Sequence, residues 1–224
     1  MSRVTTPSGL SRPRAALFDW DNTLVDNWVT IREALNATLV AMGHAPWSVD
    51  ETMARVRASM RDSFPKMFGD RWPEARRIFF ETFEARHLET LREMEGARDL
   101  LDALGNRGVY LAVVSNKQGR FLRREADRLG WTALFGRLIG AGDASQDKPA
   151  VEPVELALAG SGVGRGGEVW FVGDTEMDME CAHAAGCMPL LIRPEPLDPR
   201  LFAGRLPAWH GAGCLDLARL VEEL

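Results

Sequence analysis

Apolar and polar positions along this 224-residue chain follow two different rhythms, and the change between them marks its organisation. Ala15-Ala16-Leu17-Phe18 is a short apolar run after a polar stretch, which predicts a buried strand. Tyr110–Val114, Val169–Val172 and Pro189–Ile192 are runs of the same kind, with another near Leu138-Ile139. Between and after them, Ala97–Arg107, Arg120–Leu129, Val151–Ala159, Met177–Ala185 and Leu215–Leu224 read as helices. That alternation predicts an α/β core, a parallel sheet with helices on both faces. From Asn27 to about Glu95 the pattern is helical only. Val29–Met42 is amphipathic and closes on Gly43, and Ser48-Val49-Asp50-Glu51 is a capping box opening a second helix. Pro73 fits the first position of another, with Ile78, Phe79, Thr82, Phe83 and Leu88 along one broad face. The expected division is a flexible leader over 1–13, a core formed by 14–26 and 96–224, and an all-α insertion over 27–95.

The first strand ends in Asp19-Trp20-Asp21-Asn22-Thr23-Leu24. Side chains alternate along a strand, so Asp19 and Asp21 project to one side and Trp20 to the other. Open α/β sheets bind ligands at the carboxyl ends of their strands. One carboxylate there can attack or bind a metal while the other moves a proton. Alone, D-x-D describes a surface turn equally well. Three further segments change that balance. Tyr110–Val114 runs into Ser115-Asn116-Lys117, whose hydroxyl and amide can hydrogen-bond phosphoryl oxygens without adding charge. Lys148 precedes Pro149 and a helical pattern, in a chain with only three lysines among 27 basic residues; a compact ammonium suits a point contact better than a planar fork does. Val169–Val172 runs into Gly173-Asp174-Thr175-Glu176-Met177-Asp178, an acidic cluster of the kind a hard, oxygen-seeking Mg²⁺ prefers.

In this order and spacing, from about Ala15 to the end of the chain, the four motifs resemble those of the haloacid-dehalogenase-like hydrolase superfamily. The resemblance implies a Rossmann-like three-layer core with parallel sheet, and the helical insertion resembles the small cap of phosphoglycolate-phosphatase-like members. It further implies a nucleophile at Asp19, a general acid/base at Asp21, and phosphate contacts from Ser115, Asn116 and Lys148. Mg²⁺ would be held by Asp19, the Asp21 carbonyl and Asp174. Asp178 would steady Lys148 or a metal-bound water, with Thr23 also standing behind the ligands. Many relatives carry Gly where this chain has Asn22, but Asn tolerates left-handed backbone geometry. Arg61, in Ser59-Met60-Arg61-Asp62-Ser63-Phe64 between two cap helices, is placed where relatives have a specificity loop and is the candidate partner for a second anionic group of the substrate.

The resemblance implies a Mg²⁺-dependent phosphatase acting on a small phosphate ester through an aspartyl-phosphate. A sugar-phosphate mutase would share all four motifs. A phospho-accepting receiver would place its acceptor mid-chain and lack the insertion, and a dehalogenase has no need of Asp21. A phosphonate-cleaving member would need a cap lysine, for which Lys66 alone is available. Composition agrees with a compact enzyme: 46% hydrophobic residues suffice for a core, and a net charge of −5 gives no electrostatic footprint for nucleic acid or an anionic membrane. No segment approaches the ~20 apolar residues of a membrane span. Cys181, Cys187 and Cys214 lack metal-ligand spacing and read as reduced, mostly buried thiols, which points to the cytoplasm. The four histidines are scattered. The physiological ester and the oligomeric state are left open.

Overall fold

The computed structural model describes residues 10–56 and 60–224. Six parallel strands form the main sheet: β1 (Ala15–Phe18), β4 (Tyr110–Gln118), β5 (Arg137–Ala141), β6 (Val169–Gly173), β7 (Met188–Ile192) and β8 (Trp209–Gly211). Their spatial order is β5-β4-β1-β6-β7-β8. The first strand is therefore central, with β4 beside it in the register Ala15↔Tyr110 and β6 in the register Ala15↔Val169. Every residue of β1 is fully buried, which explains why its sequence is continuously apolar and not alternating. Chain direction across the sheet reverses its progression at β1, and that switch point is where α/β sheets open a crevice.

The helices α5 (Ala97–Gly105), α6 (Gly119–Arg128), α7 (Glu152–Leu158), α8 (Glu176–Ala185) and α9 (Cys214–Glu223) connect or follow these strands. One core cluster joins Leu17, Ala112, Val114 and Phe171 of the sheet to Val154 and Leu158 of α7 and Cys181 and Ala182 of α8. The predicted helices all form, with ends displaced by a residue or two. Strand β4 is longer than its apolar stretch, running on through Ser115-Asn116-Lys117. Strand β8 was not expected from the sequence, being only three residues long and containing His210 and Gly211.

By its internal packing the chain forms two compact units, one reaching to Val25 and resuming at Glu93, the other Asp26–Arg92. The second contains α1 (Trp28–Ala41), α2 (Val49–Arg55), α3 (Met60–Phe68) and α4 (Trp72–Thr90). A two-stranded ribbon, β2 (Val25–Asp26) with β3 (Arg92–Glu93), pairs the chain where it leaves the first unit with the chain where it returns. Ser48 caps α2 through the full capping box with Glu51, as its sequence predicts. Helix α1 meets α4 through the Thr30–Thr90 hydroxyl pair and the Glu33–Arg86 ion pair.

The segment expected to be a loop after Ser59 is instead helical from Met60. Phe64 and Phe68, four apart on α3, stack edge-on at 5.1 Å, and Phe64 meets Phe79 of α4 at 5.8 Å. Two buried aromatic rings on one helical face outweigh the missing N–H of Pro65 within the helix. Arg61 belongs to α3, and its side chain lies outside the described residues.

Candidate active site

The site is built at the carboxyl ends of β4, β1 and β6. Asp19 extends the β1 ladder by one residue, its N–H donating to Val172 O at 2.9 Å. Beyond it the backbone turns sharply: the N–H groups of Leu24 and Val25 both donate to Trp20 O, and that of Asn22 donates to Val25 O. Asn22 stands at φ 62, the left-handed conformation for which Asn substitutes for Gly. The turn leaves Asp19 buried and Asp21 partly exposed, on the opposite side from Trp20.

Lys148 joins two of the predicted carboxylates. Its Nζ donates to Asp19 Oδ1 at 2.6 Å and to Asp178 Oδ1 at 2.7 Å. The lysine backbone is clasped by one side chain, since Lys148 N donates to Asn116 Oδ1 and Asn116 Nδ2 donates to Lys148 O, at 3.0 and 3.1 Å. The Asn116 amide also donates to Met177 Sδ at 3.1 Å, so its side chain holds the Lys148 backbone in place. Ser115 is buried in the carboxyl half of β4, its Oγ accepting from Lys117 N at 3.3 Å.

Asp178 is fixed from two directions. Thr175 caps α8, and its N–H and Oγ1–H both donate to Asp178 Oδ2, at 3.0 and 2.6 Å, while Asp178 N donates to Thr175 Oγ1. A Cβ at Gly173 would overlap the Asp178 carboxyl, so this strand end must be glycine. Thr23 Oγ1 donates to Asp174 Oδ1 at 3.2 Å.

Asp19, Asp174 and Asp178 each bring a carboxylate oxygen within 4.8 Å of the others. Two buried acids and a half-buried third thus face one ammonium. Burial, with Asp178 and Asp21 adding to it against the pull of Lys148, pushes the Asp19 carboxyl up to about 6. Burial together with Asp178 and Asp19 raises Asp174 well above the usual carboxylate range. Burial works against the Lys148 ammonium, but Asp178 and Asp19 outweigh it and hold its proton more firmly. Such a cluster is short of positive charge, and its donors are all hard oxygens, so the residues present fit Mg²⁺. Both Asp178 oxygens are already engaged by Lys148 and Thr175, which leaves Asp19 and Asp174 as the carboxylates suited to direct ligation.

A second buried lysine, Lys117, lies two residues beyond Ser115. Lys117 Nζ contacts Asp21 Oδ1 at 2.8 Å and Glu125 Oε1 at 3.0 Å. The other Glu125 oxygen accepts from Trp20 Nε1 at 2.7 Å. The scarcity of lysine in this arginine-rich chain is the signal that would have found it. The cysteines take no part: all three are buried thiols, and burial pushes Cys181 and Cys214 up to about 12.

The sequence profile of the haloacid dehalogenase-like hydrolases matches residues 16–192, spanning all four motifs. The chain belongs to that family, as a phosphatase. It is 31% identical over 198 residues to a phosphoglycolate phosphatase of Xylella fastidiosa, covering 84% of this chain and 83% of the relative. It is also 31% identical over 192 residues to an N-acetylmuramic acid 6-phosphate phosphatase of Pseudomonas aeruginosa, covering 81% and 82%. Among solved structures, a predicted phosphoglycolate phosphatase from Haemophilus somnus superposes with a TM-score of 0.81 at 21% identity, over 95% of this chain and 99% of that one. Among the described residues no helix is long and apolar enough to cross a membrane.

Proposed function

We propose that this enzyme is a Mg²⁺-dependent phosphatase that hydrolyses a small phosphate monoester through an aspartyl-phosphate at Asp19. The observation that carries the reading is the convergence of Lys148 on Asp19 and Asp178, with Asp174 completing the acidic triad. In the first step an Asp19 carboxylate oxygen bonds to phosphorus while the ester P–O bond breaks, its electron pair staying on the departing oxygen. Asp21 delivers a proton to that oxygen. In the second step Asp21 takes a proton from water as the water oxygen bonds to phosphorus. The bond from phosphorus to Asp19 then breaks, restoring the carboxylate and releasing inorganic phosphate.

Each surrounding group has a part in this scheme. Lys148 orients Asp19 and offsets charge on the phosphoryl oxygens, and the Ser115 hydroxyl supplies a neutral hydrogen bond to them. Asp178 aims Lys148. Asp19, Asp174 and the Asp21 carbonyl would hold Mg²⁺, with Thr23 fixing Asp174. When bound, the metal supplies charge stabilisation for the transferring phosphoryl group. The Asp26–Arg92 unit, read as the cap, is where selection among esters would be made, and Arg61 is its candidate contact for a second anionic group.

The relatives named above act on different phosphate esters, so the test is a panel. Purified protein with Mg²⁺ is assayed for phosphate release from phosphoglycolate, N-acetylmuramic acid 6-phosphate, sugar phosphates and nucleotides. Release from at least one monoester, lost on adding chelator and restored by Mg²⁺, is expected. Chelator-resistant activity overturns the metal assignment. Activity retained by Asp19→Asn overturns the nucleophile.

A further inference from the structure

Lys117 stands apart from the residues already given a part in the reaction. Its side chain is only 3% exposed, and Glu125, on α6, is fully buried. Trp20, which ties down Glu125, is itself held edge-on by Trp131 at 5.9 Å and Phe135 at 6.3 Å. The result is a closed chain of contacts, Trp20 to Glu125 to Lys117 to Asp21, that begins and ends on neighbouring residues of one turn. Only its last member, Asp21, reaches toward solvent, with a side chain 24% exposed.

A lysine needed only to neutralise Glu125 has no reason to reach Asp21 as well. Burying a long flexible side chain costs rotamer entropy, and a buried ion pair is a weak source of net stability. What such an arrangement does supply is a fixed direction. Asp21 sits on a tight turn, and a misplacement of about 1 Å in a reacting group can cost a hundredfold in rate.

We propose that Lys117 is a positioning residue for Asp21, aimed by Glu125 and Trp20, and that it sets the orientation in which Asp21 exchanges its proton. This rests on the aspartyl-phosphate reading of the site. Lys117 engages Oδ1, so the proton passed to the departing oxygen, and later taken from water, is carried on Oδ2. When the ester P–O bond breaks, its electron pair takes that proton from Oδ2, leaving Asp21 ionised against Lys117.

Leaving groups of graded basicity provide the test, because an alkoxide needs a proton to depart and a dinitrophenolate does not. The ratio kcat/KM reports phosphoryl transfer to Asp19 from free enzyme and substrate. Proton transfer by a positioned group contributes roughly 10²–10⁴ in rate. In Lys117→Met, kcat/KM for the alkyl phosphate the wild type turns over fastest should fall at least about tenfold further than that for 2,4-dinitrophenyl phosphate. Glu125→Gln, nearly isosteric and still able to accept from Trp20, should shift the same ratio in the same direction, by about threefold or more. It keeps the question open to measurement if the lysine variant does not fold. Equal losses on both esters in a folded variant would overturn the positioning role and leave Lys117 a structural ion. A wild type that releases no phosphate from any ester would overturn the underlying reading, and this one with it.

Discussion

Two buried lysines flank the Asp19-Trp20-Asp21 strand end, and each bridges a pair of carboxylates. Lys148 joins Asp19 to Asp178, and Lys117 joins Asp21 to Glu125. The likeness ends at the surroundings. Around Lys148 a further acid, Asp174, crowds in, and the Asp19 carboxyl is driven up to about 6. Around Lys117 the third neighbour is a neutral indole donor, Trp20, in a wall of aromatic rings. The first cluster is left short of positive charge, as a site must be that is to receive a cation and a phosphoryl group. The second is a rigid bracket. Two lysines of similar pairing thus meet one strand end; in the proposed scheme one acts on the reacting centre and the other holds its neighbour still.

The sharpest way to break this contrast is at the proposed nucleophile. Asp19→Asn should lower phosphate release at least about a thousandfold, as removing an attacking group does in other enzymes. It should leave the metal-free protein as stable as the wild type or more so, because it takes one charge out of a crowded acidic cluster. A stability loss comparable to that of a core truncation would show that Asp19 is a structural partner of Lys148 first.

Removing the cation is expected to act in the opposite sense on stability. Lys148→Met strands Asp19 and Asp178 in a buried site, and breaking such a pair from one side costs about 3–5 kcal/mol. Urea unfolding should show a lower midpoint with an unchanged slope. A midpoint like that of the wild type would mean that the carboxylates take up protons without penalty.

Acidity offers a gentler probe of the same crowding. Asp19 keeps its proton to about 6 in the folded chain against an ordinary value of 3.8, and Asp174 shifts in the same direction. The folded state therefore binds more protons than the unfolded one. That stabilisation is present at low pH and is lost as pH rises from about 4 through 6. Metal-free protein should show this contribution as a falling melting temperature across that window. Added Mg²⁺ should raise the melting temperature more at pH 7.5 than at pH 5. Equal gains at both would place the ion outside the acidic cluster.

The smallest expected change lies at the helix cap. Thr175→Ala removes the hydroxyl that both caps α8 and holds Asp178, costing about 1 kcal/mol by the usual worth of an N-cap. Activity should drop only a few-fold, since Lys148 still fixes the other Asp178 oxygen. A complete loss would show that the Thr175 hydroxyl itself touches substrate.

What was legible in the sequence were features fixed over a few residues. The apolar stretch Ala15–Phe18 can only be a buried strand, and the box Ser48–Glu51 satisfies its own backbone, so both appear as read. The motifs were legible for the same reason, three of them being strand ends with polar tips and the fourth a lysine just before a helix. What escaped notice depends on partners far along the chain. Trp20 meets Glu125 across 105 residues, and nothing local in Arg-Arg-Glu-Ala marks that glutamate as buried. The clasp of the Asn116 side chain on the Lys148 backbone spans 32 residues and is likewise invisible in the local sequence. Helix α3 is masked in the sequence by Pro65, while the Phe64–Phe68 spacing that decides it is a helical one.

The β2–β3 ribbon has a bearing on how such a chain diversifies. Because the strand leaving the first unit is paired with the strand returning to it, everything from one to the other hangs from a single two-stranded socket. A segment mounted in this way can be lengthened, trimmed or exchanged while its closing distance stays the same and the order of the main sheet is untouched. On the proposed reading, in which Asp19 reacts and the Asp26–Arg92 unit selects the ester, the two could then evolve on separate schedules.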